Sequence, residues 1–266
     1  MSDWSAQEPR FGAVNWVGVS TLYRKEVHRF LKVGVQTIAA PVATTLLFFA
    51  VFALALGGIV RTAGDTPFLL FLAPGLVMMT MVQNAFANTS SSVISAKVTG
   101  SIVDVLMPPL SPTEWTLAYI AGGITRGVLV GIATLMAMRF FVPLEIAYPA
   151  LIIFHALAAS MMLALLGLLG GIWAERFDHI SGITNFVITP LAFLSGTFYT
   201  IDRLPPFWQT LAQLNPFYYM IDGFRAGFIT QADSNLAIGI IIMIVINAVL
   251  MIATLRVVRT GWHLKP

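Results

Sequence analysis

Six stretches of this chain are apolar for long enough to cross the roughly 30 Å hydrocarbon core of a bilayer, and nothing else in the sequence constrains the fold as strongly. They lie near Val35–Val60, Phe68–Ala87, Thr116–Met138, Tyr148–Trp173, Ile180–Phe198 and Leu236–Leu255. Hydrocarbon offers backbone N–H and C=O groups no partner, so each run reads as a helix and residues 1–266 as one all-α integral membrane domain. With 58% hydrophobic and 10% charged residues, the chain has too little polar surface for an ordinary soluble domain. The first run is far longer than a signal-peptide core and no small-residue cleavage site follows it, so it reads as a retained anchor. The absence of cysteine excludes disulfides, thiolate metal sites and cysteine nucleophiles.

Charge gives the orientation. Six spans put both termini on one side. If that side is cytoplasmic, Arg10, Arg24, Lys25, Arg29, Lys32, Lys97, Arg176, Arg256, Arg259 and Lys265 lie inside, and Arg61, Arg139, Arg203 and Arg225 outside, as the positive-inside rule requires. This predicts a multi-pass protein of the bacterial inner membrane. A basic excess placed in this way reports topology and not nucleic-acid binding.

Ahead of the first span, residues about 16–33 form an amphipathic helix. Leu22, Tyr23, Val27, Phe30 and Leu31 fall on one face, and Arg24, Lys25, His28, Arg29 and Lys32 on the other. The basic face suits anionic headgroups of the cytoplasmic leaflet; the segment either fixes topology or works as a moving elbow. Glu26 shares a face with Leu22 and Phe30. A local surface pair with Arg29 is expected for it, the alternative being a partner subunit.

The longest inside connection is Asn88 to Trp115. Ser95 to Leu106 is helix-forming, Pro108-Pro109 is a stop, and Ser111-Pro112-Thr113-Glu114 has the form of a capping box opening the third span. A short helix projecting here is where a soluble partner can push. The second inside connection, Glu175 to His179, lies near the same surface. Asp178 beside His179 without a third ligand reads as a solvated loop sooner than a metal site.

Inside the membrane, Arg126 either faces protein or water, as a functional candidate, or snorkels to the near interface. Gly123, Gly127 and Gly131, then Gly167 and Gly171, form small-residue stripes that read as tight packing within the chain. The lone span histidine, His155, reads as packed or hydrogen-bonded. On the second span Gln83, Asn84 and Asn88 lie near Met78, Met79 and Met81. On the fifth, Ser181, Asn185 and Thr189 recur every four residues and Pro190 is expected to interrupt the helix. Singly, each polar group reads as glue between helices. Taken together, Met79, Gln83, Asn84, Asn185, Phe186, Thr189 and Phe193 read as an adaptable path for a large amphipathic molecule.

Ser195 to Phe228 is too polar to span and too aromatic for a plain loop. Leu204-Pro205-Pro206 stops one helix, Phe207 to Leu214 forms about two turns, Asn215-Pro216 breaks again and Tyr218 to Phe228 forms three more. This predicts an outer cap over residues about 199–228, with Trp208, Phe217, Tyr218, Tyr219, Phe224 and Phe228 at the headgroups and bends at Pro205, Pro206 and Pro216. Asn215, Asp222 and Arg225 are its polar members, and Trp208 and Arg225 are expected to be reachable from outside. The prolines suit a moving gate and a fixed lid equally.

No GxxxxGK[ST], HExxH or GxSxG motif occurs, and the apolar cores carry no Asp or Glu that could act as a titrating relay. No catalytic centre is expected, and the energy source is expected elsewhere. A self-sufficient channel or secondary carrier is the rival reading, followed by a lipid-acting enzyme using Arg176, Asp178 and His179. The segment LSGTFYTIDRLPPFWQTLAQLNPFYYMIDGFRAGF, with KEVHRF, FLAPGLVMM and ITPLAFLSG, resembles the permease subunits of type 2 class ABC exporters. Among these it is most similar to small inner-membrane permeases grouped with lipo-oligosaccharide and polysaccharide exporters. The resemblance covers essentially the whole chain. It implies a homodimer bound to two copies of a separate ABC ATPase that holds ATP and Mg, with no cofactor in this chain. It further implies coupling through Lys97, Val98, Ile102, Val103, Asp104 and Leu106, and secondarily through Glu175 and Asp178. The elbow, with Lys25, Glu26 and Arg29, would move with these contacts; the cargo is not implied.

Overall fold

The computed structural model describes residues 14–56, 62–63, 66–229 and 232–264. Arg10, Arg61, Lys265 and the end of the first apolar run lie outside the described residues. The described chain is helical apart from one two-stranded pairing, β1 (Thr62–Ala63) with β2 (Thr66–Pro67), antiparallel in the register Thr62 to Pro67.

The amphipathic segment expected as an elbow is α1 (Trp16–Leu31), opened by Asn15, whose Oδ1 accepts from the Gly18 N–H at 2.9 Å. Its buried stripe is Leu22, Glu26 and Phe30, while Leu31, placed on the apolar face by pattern, is exposed. A π-helical turn (Val35–Ala39) leads into α2 (Ala40–Leu56).

α3 (Phe68–Val98) has 31 residues and, at about 1.5 Å per residue, outruns the bilayer core. The helix continues past Ala87, the expected end of the span, because the polar residues beyond it are buried and bonded. Thr89 Oγ1 donates to Ala164 O at 2.8 Å and Ser90 Oγ to Phe86 O at 2.8 Å. The connection that follows therefore begins at Thr99. Gly100 takes φ +74°, a left-handed value that ends the helix without strain, and the projecting helix shrinks to α4 (Ile102–Leu106). The capping box forms at the start of α5 (Pro112–Met138): Ser111 Oγ accepts from the Glu114 N–H at 3.3 Å, and Glu114 Oε2 from the Ser111 N–H at 2.7 Å. α6 runs over Pro149–Trp173.

The fifth expected span is the main departure. It consists of α7 (Phe177–Ile183), a π turn (Thr184–Ile188) and α8 (Thr189–Phe193), with turns from Leu194 onward. The helical run from Phe177 to Phe193 falls short of the roughly 20 residues a span needs. Pro190 does not interrupt it, since proline in the first turn of α8 lacks an N–H at a place where the preceding π turn has already shifted the bonding register. The last helix, α11 (Leu236–Thr260), closes on Gly261 at φ +67°, beyond its expected end at Leu255. Among the described residues five helical segments are long and apolar enough to cross a membrane: Val35–Ala55, α3, α5, α6 and α11.

α3 is the axis, packed by α5, α6 and α10, with α2 and α11 at the periphery. The glycine stripes permit this closeness. A Cβ on Gly127 would meet Met81 O at 2.9 Å, and one on Gly171 would meet Ser90 O at 3.0 Å, so both stripes seat α5 and α6 on the α3 backbone.

After a short 3₁₀ turn (Ile201–Arg203) come α9 (Pro206–Leu214) and α10 (Pro216–Ile229), the two cap helices, with the break at Asn215 as expected. α10 does not lie along an interface. Phe217, Phe224 and Phe228 are buried in the core with α3 and α6, while Tyr218 is buried against Ala212 of α9 and Ile201 of the turn before it. The exposed aromatics of the cap are Trp208, as expected, and Phe207 beside it on α9, 46% and 72% exposed. Gly223 lets α10 dock, because its bare Cα faces the ring of His155, which is fully buried and bonded through Nδ1 to Leu151 O at 2.9 Å.

Candidate functional site: a lined cavity between an elbow lock and a buried cap

A cavity of about 350 Å³ lies where α2 and α3 meet the end of α8. Four of the seven residues expected to form a path line it: Met79, Gln83, Asn84 and Phe193. The other three do not. Asn185 and Phe186 point outward, Phe186 with 84% of its surface exposed, and Thr189 is only half-buried, because the π turn rotates that stretch away from α3. The first span supplies residues that pattern reading missed: Gln36, Thr44, Thr45 and Phe48. The signal was present as a lone glutamine and a Thr-Thr pair within an apolar run. Thr45 and Thr80 share a hydroxyl–hydroxyl hydrogen bond of 2.5 Å that clasps α2 to α3. A second groove of about 570 Å³, lined by Lys32 to Gln36 and by Ala39, Ala40 and Ala43, adjoins the cavity at Gln36 and Ala40.

The elbow end is closed by a polar lock. Glu26 forms the expected pair with Arg29 but is fully buried and not at the surface. Its Oε1 accepts from Ser92 Oγ at 2.7 Å, and its Oε2 forms a 3.3 Å ion pair with Arg29 Nη2. Arg29 also donates to Asn88 O at 2.7 Å, Asn88 Oδ1 at 3.0 Å and Ser91 Oγ at 3.2 Å. A Cβ on Gly122 would meet Glu26 Cβ at 2.7 Å, so this glycine seats the elbow on α5. One turn further along α5, Arg126 Nη2 donates to Asn84 Oδ1 at 3.0 Å. Lys25 stays on the exposed face of α1. At the other end of α1, the Asn15 N–H donates to Glu114 Oε1 at 2.6 Å and Asn15 Nδ2 to Pro109 O at 3.2 Å.

Of the residues assigned to ATPase contact, Val98, Val103, Asp104 and Leu106 are exposed at the α3–α4 tip, and Glu175 and Asp178 at the α6–α7 connection. Ile102 is buried. Lys97 turns inward instead. Its Nζ donates to Ile172 O and Ala174 O, both at 2.6 Å, capping the C-terminus of α6 and fastening the two connections to each other. Among the described residues no group of three His, Cys, Asp or Glu side chains comes together to hold a metal ion.

At the cap end, Arg225 is 2% exposed, which overturns its expected accessibility. Its guanidinium carbon lies 3.6 Å from the Phe71 ring centroid, and Nη2 donates to Gly196 O at 2.7 Å. Asp222, also buried, accepts from the Asp233 and Ser234 N–H groups at 3.0 and 2.9 Å, tying α10 to the chain entering α11. Asn215 Nδ2 donates to Leu191 O at 2.7 Å while its Oδ1 caps Phe217 N–H at 3.0 Å. Pro205 caps and Pro206 opens α9, both exposed, Pro216 opens α10, and Tyr219 packs beside Gly239.

The family described as ABC-2 type transporter matches residues 18–229. The inner membrane transport permease YadH of Escherichia coli (strain K12) is 38% identical over 234 residues, covering 87% of this chain and 91% of that protein. Nodulation protein J of Rhizobium leguminosarum bv. viciae is 24% identical over 255 residues, 92% and 95% of the two chains. That of Bradyrhizobium diazoefficiens is 22% identical over 244 residues, 90% of each.

Proposed function

Because the chain belongs to the ABC-2 type transporter family, we propose that it is the membrane-spanning permease of an ATP-driven exporter in the bacterial inner membrane. Two copies form the path, and two copies of a separate ABC ATPase, holding ATP and Mg, supply the energy. The observation that carries this reading is the cavity in which Met79, Gln83 and Asn84 of α3 meet Phe193 of α8 and the threonines of α2. Soft thioether and aromatic surface beside amides and hydroxyls suits an amphipathic cargo. The adjoining groove beneath the elbow, with Lys32 at its mouth, gives such a molecule a way in from the headgroup layer.

In this reading the elbow end is cytoplasmic, as are both termini. The exposed Val98, Val103, Asp104 and Leu106 meet the ATPase, with Glu175 and Asp178 as the second contact. Lys97 makes the two contacts move together by bolting α3 to the end of α6. Closure of the ATPase pair then biases the bundle from inward-open to outward-open. The buried α10 roofs the path at the far end.

Copurification followed by reconstitution tests the proposal. The expected result is that the tagged chain brings down an ABC ATPase, and that vesicles holding both show amphiphile-stimulated ATP hydrolysis. A chain that never associates with an ATPase, or that alone supports flux driven by an ion gradient, would refute it.

A further inference from the structure

The elbow lock holds two guanidinium groups and one carboxylate. Arg29 and Arg126 stand a helical turn apart along α3, bonded to Asn88 and Asn84, and Glu26 is already committed to Arg29 and Ser92. Among the described residues Arg29–Glu26 is the one ion pair, so no carboxylate lies within pairing distance of Arg126. Arg126 makes a single hydrogen bond, to Asn84, and its Nε is buried without a partner. A guanidinium carries five donors, so most of this fork is unused. Carrying an unpaired cation within an apolar span is costly, and Arg126 is nonetheless partly reachable from outside the protein. Its one partner, Asn84, is also a wall of the 350 Å³ cavity, whose other walls include Phe48, Met79 and Phe193.

We infer that this corner is a binding site for an anionic amphiphile, with a phosphate or phosphodiester group on Arg126 beside Asn84 and the apolar portion in the cavity. The planar fork of arginine matches phosphate oxygens two at a time, and the anion supplies the counter-charge the protein omits. The inference rests on the reading of the cavity as part of the transport path and names the class of molecule that path takes.

Native mass spectrometry of the purified full-length chain, with phosphatidylglycerol titrated against phosphatidylcholine, tests it. The wild type should retain one phosphatidylglycerol with a preference on the order of tenfold or more. Arg126→Gln should remove the preference and Arg126→Lys keep part of it, while Arg139→Gln, exposed at the far end of α5, leaves it intact. Asn84→Asp provides an arm that keeps the arginine: it sets a carboxylate against Arg126 and should abolish the preference from within, even if Arg126→Gln does not fold. Equal retention of the two lipids by the wild type overturns the site, as does a preference that survives Asn84→Asp. Glycerol phosphate, a headgroup without a tail, should not displace the lipid; displacement at equal concentration would mean a free-anion site and end the amphiphile assignment. Lipid retention is read without ATPase or flux, so a failure here is separate from failure of the exporter reading.

Discussion

Two arginines are enclosed by this bundle, and the molecule treats them differently. Arg225, at the cap end, lies on the face of Phe71, donates to a backbone carbonyl and has Asp222 three residues away on the same helix. Arg126, near the elbow, has one amide oxygen. The first is closed off on every side and works as a rivet between α10, α3 and the turn at Gly196. The second is held in direction only, with most of its hydrogen-bonding capacity unspent. Both keep a buried Nε without a partner, so what distinguishes the structural cation from the receptive one is the Phe71 face closed over Arg225 and the exposure left at Arg126.

The largest effect should come from breaking the rivet. Arg225→Met leaves Gly196 O without its donor and takes the cation off the face of Phe71, with an expected loss of about 3 kcal/mol. Thermal unfolding of the detergent-solubilised chain would show it, and a wild-type melting profile would erase the contrast between the two arginines. Glu26→Gln comes next. It leaves Arg29 beside two amides and two hydroxyls but no counter-ion, with an expected cost of about 2 kcal/mol. Adding Arg29→Met should cost less than the sum of the single changes, because the two groups act as one unit, and additivity in the same assay would dissolve the lock. Arg126→Gln should be the mildest, within about 1 kcal/mol in stability, since the amide can still reach Asn84. A collapse as large as that of Arg225→Met would make Arg126 a second rivet.

Much of the bundle was legible in the apolar runs, and the cap helices in their prolines, because both signals are local and periodic. The capping box at Ser111 and Glu114 was legible for the same reason. What escaped reading depends on distant partners. Glu26 carries every mark of a surface residue among Arg24, Lys25 and Arg29; only Ser92 and Gly122, some seventy to a hundred positions away, bury it. Lys97 looked like a tip residue until the end of α6 was found above it. Arg225 looked exposed because a polar, proline-bounded segment was assumed to lie on the surface, whereas Gly223 and Gly227 let α10 sink against α6. The cavity was half legible. Helical spacing gave Met79, Gln83 and Asn84, but the same spacing carried past Thr184 gave Asn185, Phe186 and Thr189, and the π turn adds one residue per turn and spoils that phase.

Glu114 accepts from the backbone of Ser111 with one oxygen and from that of Asn15 with the other, so one carboxylate closes the first turn of α5 and grips the start of α1. With Arg29 fixed to Asn88 some fourteen residues on, the elbow is a beam pinned at both ends. Such a beam keeps no rotation of its own. It turns only when α3 and α5 turn. The remaining degree of freedom lies at Lys32, Val33 and Gly34, where the beam meets the π turn before α2. Displacement of the core is thereby delivered to the outermost helix, and the cavity wall formed by Thr44, Thr45 and Phe48 travels as far as the Thr45–Thr80 clasp lets it.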